Sequence, residues 1–101
     1  MPLLRLYSSL GDYYITHNFK TAIKYFKQAD EVKPNQPIIY YQIGYCYYMI
    51  GDENMEYKWW NKYIDQCGEQ EATNNTYVHF RVVERLKRIK EKRFMEGKES
   101  K

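Results

Sequence analysis

Residues 37–64 read PIIYYQIGYCYYMIGDENMEYKWWNKYI. Pro37 suits the first turn of a helix, where its missing N–H has no partner to lose. From there large side chains recur at three- and four-residue spacing up to Ile50, which builds one helical face. Gly51-Asp52 then supplies a C-terminal stop and a fresh N-cap. A second helix follows, carrying Met55, Trp59, Trp60, Tyr63 and Ile64 as far as Cys67, with Gly68 to close it. Two helices joined by so short a turn must lie antiparallel, so this stretch predicts an α-hairpin.

The same hairpin is written once before. Tyr7, Tyr13, Tyr14, Lys24, Tyr25 and Phe26 return 34 residues later as Tyr41, Tyr47, Tyr48, Lys58, Trp59 and Trp60. Ile15 returns as Met49 and Glu31 as Asp65, while positions between them diverge freely. A period of 34 is the length of a helix-turn-helix unit in a solenoid. The first copy predicts a helix from Leu3 to about Ile15, with Leu3, Leu6, Leu10, Tyr13 and Tyr14 on one side. Thr16-His17-Asn18 forms the turn, and a second face of Phe19, Ala22, Ile23, Phe26 and Ala29 ends before Pro34. Lys33-Pro34-Asn35-Gln36-Pro37 punctuates the two copies, because proline restricts the residue before it and cannot continue a helix.

Beyond the duplicated part, Glu69–Asn75 is polar, and Thr73 or Asn74 is placed to cap a fifth helix over about 73–95. Its expected buried side is Tyr77, Phe80, Val83 and Leu86, with Lys87 and Lys90 on the same line and Val82, Ile89 and Phe94 beside it. Residues 97–101 are expected to fray, since nothing apolar follows Met95. The whole then reads as a single domain over 1–96, with repeat one at 3–36, repeat two at 37–70 and the last helix as a terminal cap. A hairpin stack needs such a cap with a wet outer face. Arg81, Arg85, Lys87, Arg88, Lys90, Lys92 and Arg93 provide it, paired in part by Glu84 and Glu91.

The chain has 101 residues, 44% of them hydrophobic and 18% aromatic, which is enough for one small core. Its mean hydropathy of −0.83 is low partly because twelve tyrosines count as polar. Net charge is +3, unevenly placed: +2 over 1–36, −3 over 37–70 and +4 over 71–101. The longest apolar run, Pro37–Gly51, falls short of the ~20 residues of a membrane span. Met1–Leu10 lacks the apolar core and cleavage site of a secretory signal, so a cytoplasmic location is expected. Cys46 and Cys67 lack the close spacing of a metal or redox pair and read as buried, reduced thiols. No H-E-x-x-H, G-x-S-x-G or phosphate-binding glycine loop occurs, and His17 and His79 have no convergent partners. The expectation is a non-catalytic chain without metal or cofactor. Asn74-Asn75-Thr76 matches a glycosylation sequon but serves equally as a helix start.

These residues resemble the tetratricopeptide repeat. Tyr40, Ile43-Gly44, Tyr47, Gly51-Asp52 and Trp60 stand at that family's spacings in the second unit. Leu6, Tyr13, Phe19, Ala22, Phe26, Ala29 and Pro34 do so in the first. The resemblance implies an all-α, right-handed αα-superhelix of five helices, a TPR-like solenoid. At the close crossing of each hairpin it places Leu10 opposite small Ala22, and Gly44 opposite Glu56. The glutamate departs from the family pattern, as do Leu10, Tyr63 and Gly68, and a carboxylate placed there must find a partner or reach the surface.

The resemblance also implies a concave surface lined by the first helix of each unit. Leu4, Tyr7, Gly11, Tyr14 and Ile15 would face it from unit one, Ile38, Tyr41, Tyr45, Tyr48 and Met49 from unit two, and Asn75, His79, Val82 and Val83 from the fifth helix. Some family members hold C-terminal carboxylates there with lysine, arginine and asparagine. Tyr7, Gly11, Tyr41 and Tyr45 occupy those positions here, so that clamp is absent. An aromatic, apolar groove suits a peptide or helix of a partner protein. The expected peptide-binding residues are Tyr7, Tyr14, Ile38, Tyr41, Tyr45, Tyr48, Met49, Asn75 and His79. Two alternatives stand beside it. The chain could be a self-assembling subunit, a homo-oligomer through helix one or a piece of a longer array, because two repeats are few and helix one has no cap. Alternatively the basic fifth helix could bind nucleic acid, against which the acidic middle third argues.

Overall fold

The turns are set by residues whose chemistry stops one helix and starts the next. The structure, a computed structural model, describes residues 2–67 and 76–99. All regular structure among them is α-helical: α1 Pro2–Tyr14, α2 Phe19–Val32, α3 Pro37–Ile50, α4 Glu53–Cys67 and α5 Thr76–Glu99. Before α2, the extended Asn18 accepts a hydrogen bond from the Thr21 N–H through its side chain at 3.1 Å. α2 ends at Lys33, held extended ahead of Pro34. The next turn is tied to α3 by the Asn35 N–H, which donates to the Tyr40 hydroxyl at 3.1 Å. Gly51 takes the left-handed conformation (φ 84°), and its N–H and that of Asp52 satisfy carbonyls of the last turn of α3. The Asp52 carboxylate then caps α4 by accepting from the Met55 N–H at 3.2 Å.

Each helix packs on the next in the chain, α1 on α2, α2 on α3, α3 on α4 and α4 on α5, giving dimensions of 50 × 28 × 22 Å. The core runs along this succession, from Ala22, Ile23 and Phe26 through Ile39 and Ile43 to Trp60, Tyr63, Val82 and Leu86. Trp59, beside Trp60 on α4, is buried where α4 meets α3 and α2. It packs near Tyr40, with the Lys62 ammonium 4.3 Å and the Lys27 ammonium 5.6 Å from its ring centroid. These ammonium groups meet the electron-rich indole face, and that of Lys27 also donates to the Tyr47 hydroxyl at 3.0 Å.

Three features differ from the sequence expectation. At the helix crossings the close approach is glycine against ring. A β-carbon on Gly11 would lie 2.6 Å from the Phe26 ring, and one on Gly44 would overlap the Trp60 ring. Gly11 is therefore buried at a crossing and not on an open surface.

α1 is accordingly turned relative to α3. Tyr40, Ile43 and Gly44 are buried, while Leu6 is 50% and Tyr13 56% exposed, and Ser9, the counterpart of Ile43, is exposed too. The cause is local: Ser9 has little apolar area to bury and Leu10 would obstruct Phe26, so the helix presents Gly11 instead.

α5 is also rotated. His79, Val82, Leu86 and Ile89 are buried, whereas Phe80 is 61% exposed. Its rotation answers a need of α4. Glu56, only 1% exposed, receives Nε of Arg85 at 2.7 Å and Nη2 at 3.2 Å, the forked pairing a buried carboxylate requires. Nearby, Lys92 reaches Glu53 at 3.4 Å and Arg93 donates to Asn54 at 2.7 Å, extending the polar α4–α5 seam. α5 also runs to Glu99, past the end expected near residue 95 and well beyond Ile89, its last buried residue, because its last residues are mostly good helix formers. The expected caps Thr73 and Asn74, and the stop at Gly68, lie outside the described residues.

Candidate functional site

α3 projects Tyr41, Tyr45 and Tyr48 from one face, the i, i+4, i+7 pattern of a helical stripe. α4 sets Trp60 between two of them. Its indole lies 6.1 Å from the Tyr41 ring at 9° and 6.1 Å from the Tyr48 ring at 27°. The indole N–H donates to the Tyr41 carbonyl at 3.0 Å, which fixes the ring's orientation. Tyr45 continues the stack, 6.3 Å from Tyr41. These preassembled rings form one wall of a cavity of about 390 Å³.

The opposite wall is α5, through Phe80, Arg81, Val82, Glu84, Arg85 and Arg88. Arg85 links the two walls, since it pairs with Glu56 while its guanidinium sits 5.1 Å over the Tyr48 ring. The Glu56 hydrogen bond raises the pKa of Arg85 against the opposing effect of burial, so its charge is retained. The Tyr41 phenol is pushed above its ordinary value by burial and by neighbouring Tyr45, with Arg81 acting in the other direction. The Tyr41 hydroxyl therefore keeps its proton at neutral pH. Behind it Cys46 is fully buried, and burial pushes its thiol up to about 12, which leaves it a packing residue without nucleophilic character.

Of the residues expected from sequence, the cavity brings together Tyr41, Tyr45 and Tyr48. Ile38 and Met49 are exposed on α3, at 51% and 46%, but lie outside its lining. Tyr7 and Tyr14 are half-buried between α1 and α2. They flank Tyr25 at 6.4 Å and 5.6 Å, so the turn of α1 has moved them from a groove into a helix interface. His79 is likewise inside, 6% exposed, with Nδ1 3.1 Å from the Tyr63 hydroxyl. Asn75 lies outside the described residues.

Sequence reasoning misses Trp60, Phe80 and the arginines as lining residues, because it reads the basic residues as a solvated face. Two signals point inward: Glu56 at a crossing position demands a cation, and Arg81, Arg85 and Arg88 share the spacing of a single face. The groove is thus aromatic and cationic where an aromatic and apolar one was expected.

Among the described residues no group of three or more His, Cys, Asp and Glu side chains is placed to hold a metal ion. No helix among them is long and apolar enough to cross a membrane. Compared with known proteins, the chain matches no family model, no curated protein and no solved structure. The cavity's geometry alone carries the reading that follows.

Proposed function

We propose that the chain is a non-catalytic interaction module that docks a peptide or short helix of a partner protein between α3 and α5. We read its two hairpins as tetratricopeptide-like units of a right-handed αα-superhelix, with α5 as the terminal cap. The 34-residue recurrence supports that reading of the fold. The observation that carries the binding role is the cavity of about 390 Å³, with one wall of prestacked rings and a 61% exposed Phe80 facing it from another helix. Rigid rings give contact area at small entropic cost, and their hydroxyl rims can bond a peptide backbone.

Phe80→Ala and Tyr45→Ala test the role, since neither ring touches Trp60 in the stack. Peptides selected from a random display library against the full chain should lose about tenfold or more in affinity to both variants, with circular dichroism unchanged. Equal binding to well-folded variants would reject the site.

A second reading, self-association through α1, rests on a separate observation. Leu3, Leu6 and Tyr13 are each at least half exposed and follow the spacing of a helix-pairing seam. Sedimentation at rising concentration tests it: a monomer throughout, unchanged by Leu6→Glu, would remove it.

A further inference from the structure

α1 packs on α2 and turns its other side to solvent. Gly11 is buried at the crossing with Phe26, and Leu4, Tyr7 and Tyr14 pack toward the core beside it. On the far side of the helix Leu6, Ser9 and Tyr13 follow one another at steps of three and four, the spacing of a seam along which helices pair. Leu6 is 50% and Tyr13 56% exposed, and Ser9 is exposed between them. The Tyr13 ring is already held in place, since the His17 ring stacks on it at 4.2 Å and His17 Nδ1 lies 2.7 Å from the Tyr13 carbonyl.

The two flanks of this seam differ. Leu3 and Leu10, seven residues apart, lie on one; Arg5 and Asp12, also seven apart, lie on the other. Both charged side chains are exposed, and neither forms an ion pair among the described residues. An antiparallel second copy, related by a two-fold axis across the seam, brings like flank against like flank. It sets the leucines of one copy beside those of the other and places Arg5 against Asp12 twice, once on each side of the axis. A parallel copy would instead press Arg5 and Asp12 onto leucines, where neither charge gains a partner. A head-to-tail copy would lay the basic α5 on a face that holds one charge of each sign, with no net attraction.

We infer that two copies of this chain pair antiparallel through α1, with Leu6 of each copy opposite the partner's Ser9 and Arg5 of each paired to the partner's Asp12. This rests on the self-association reading and specifies its geometry. A two-fold interface uses the same patch on both copies, so assembly stops at the dimer. A helix of 13 residues is about 20 Å long and buries less than the ~1,200 Å² of a standard interface, so the dimer is weak and governed by chain concentration. No residue of α1 lines the cavity between α3 and α5, so pairing doubles that cavity without altering it.

The test follows the full chain by sedimentation from about 10 µM to about 1 mM, the range in which a small interface fills. The chain should pass from monomer to dimer and no further. Arg5→Glu and Asp12→Arg each set like charges against each other twice, at exposed positions. Each should therefore weaken dimerisation about tenfold or more with circular dichroism unchanged. An equimolar mixture of the two variants should recover most of the lost affinity, because the mixed pair has opposite charges at both places. Added salt should narrow the difference between variants and parent. If Leu6→Glu abolishes the dimer but the charge variants do not weaken it, or their mixture shows no recovery, the antiparallel pairing falls while self-association through α1 stands. Growth beyond the dimer would also overturn the pairing. A monomer throughout, or a dimer indifferent to Leu6→Glu, would remove both.

Discussion

The two hairpins are written on one 34-residue template, yet they seat their rings in different registers. In α3–α4, Trp60 covers Gly44 and at the same time stands between Tyr41 and Tyr48. In α1–α2 those two tasks are divided, with Phe26 covering Gly11 and Tyr25 standing between Tyr7 and Tyr14. One large indole thus replaces two smaller rings and frees its neighbour Trp59 for the lysine side of α4. The lesson is that a repeat preserves which kinds of side chain meet, while glycine placement decides the rotation at which they do. That rotation decides whether three aromatic rings close an interface or line a cavity.

The largest expected effect tests that division directly. Trp60→Ala should cost about 3–5 kcal/mol of stability, because it empties both roles at once. Tyr25→Ala, half-buried and with Phe26 still in place, should cost about 1–2 kcal/mol. Urea denaturation measures both, and equal losses would break the comparison.

Next in size is a buried position at which the hairpins differ in charge. Glu56 stands where hairpin one has the fully buried Ala22. Arg85→Ala should cost about 3 kcal/mol by stranding the buried carboxylate. Adding Glu56→Ala should recover at least half of that loss, and a double variant less stable than the single would show that the pair does more than satisfy Glu56.

Gly44→Ala should destabilise by about 1–3 kcal/mol through overlap with Trp60, net of some gain in helix propensity. Gly11→Ala should cost less, because the overlap with the Phe26 ring is smaller. The reverse order would place the tighter crossing in hairpin one.

The smallest effect sharpens the comparison in pH. The Cys46 thiol is raised from 9.0 to about 12, so the folded chain keeps its proton where the unfolded chain loses it. Stability from this group is present in full below pH 9 and is lost as pH rises toward 12. Tyr40 and Tyr41, raised by burial, act with the same sign above pH 10. Cys46→Ala should flatten the alkaline decline in a pH series of melting curves. In hairpin one the carboxyl of Asp12 is also raised by burial, so Asp12→Asn should alter the slope of stability with pH only in the acid range.

Much of this fold was legible because its signals are local. Pro37, Gly51 and Asp52 fix the bounds of α3 and the start of α4 by chemistry that needs no distant partner. The three cavity tyrosines were legible through the family resemblance, and they lie on a single helix whose bounds those signals set. The rotations of α1 and α5 were not. They follow from Ser9 and Leu10 weighed against Gly11, and from a bond between Glu56 and Arg85, 29 residues apart in sequence with no periodicity to reveal it. With α5 misoriented, Phe80 and the arginines fell on the wrong side, and His79 was set in a groove that its hydrogen bond to Tyr63 denies it.

Adjacent in the chain, Trp59 and Trp60 meet different neighbours, one Tyr40, Lys27 and Lys62 and the other the rings of the cavity wall. The molecule consequently carries a built-in pair of optical reporters. With Trp59→Phe, emission tracks events between α3 and α5; with Trp60→Phe, it tracks the contact of α4 with α2 and α3. Docking of a ligand and loosening of the scaffold thereby become separately visible without any attached dye.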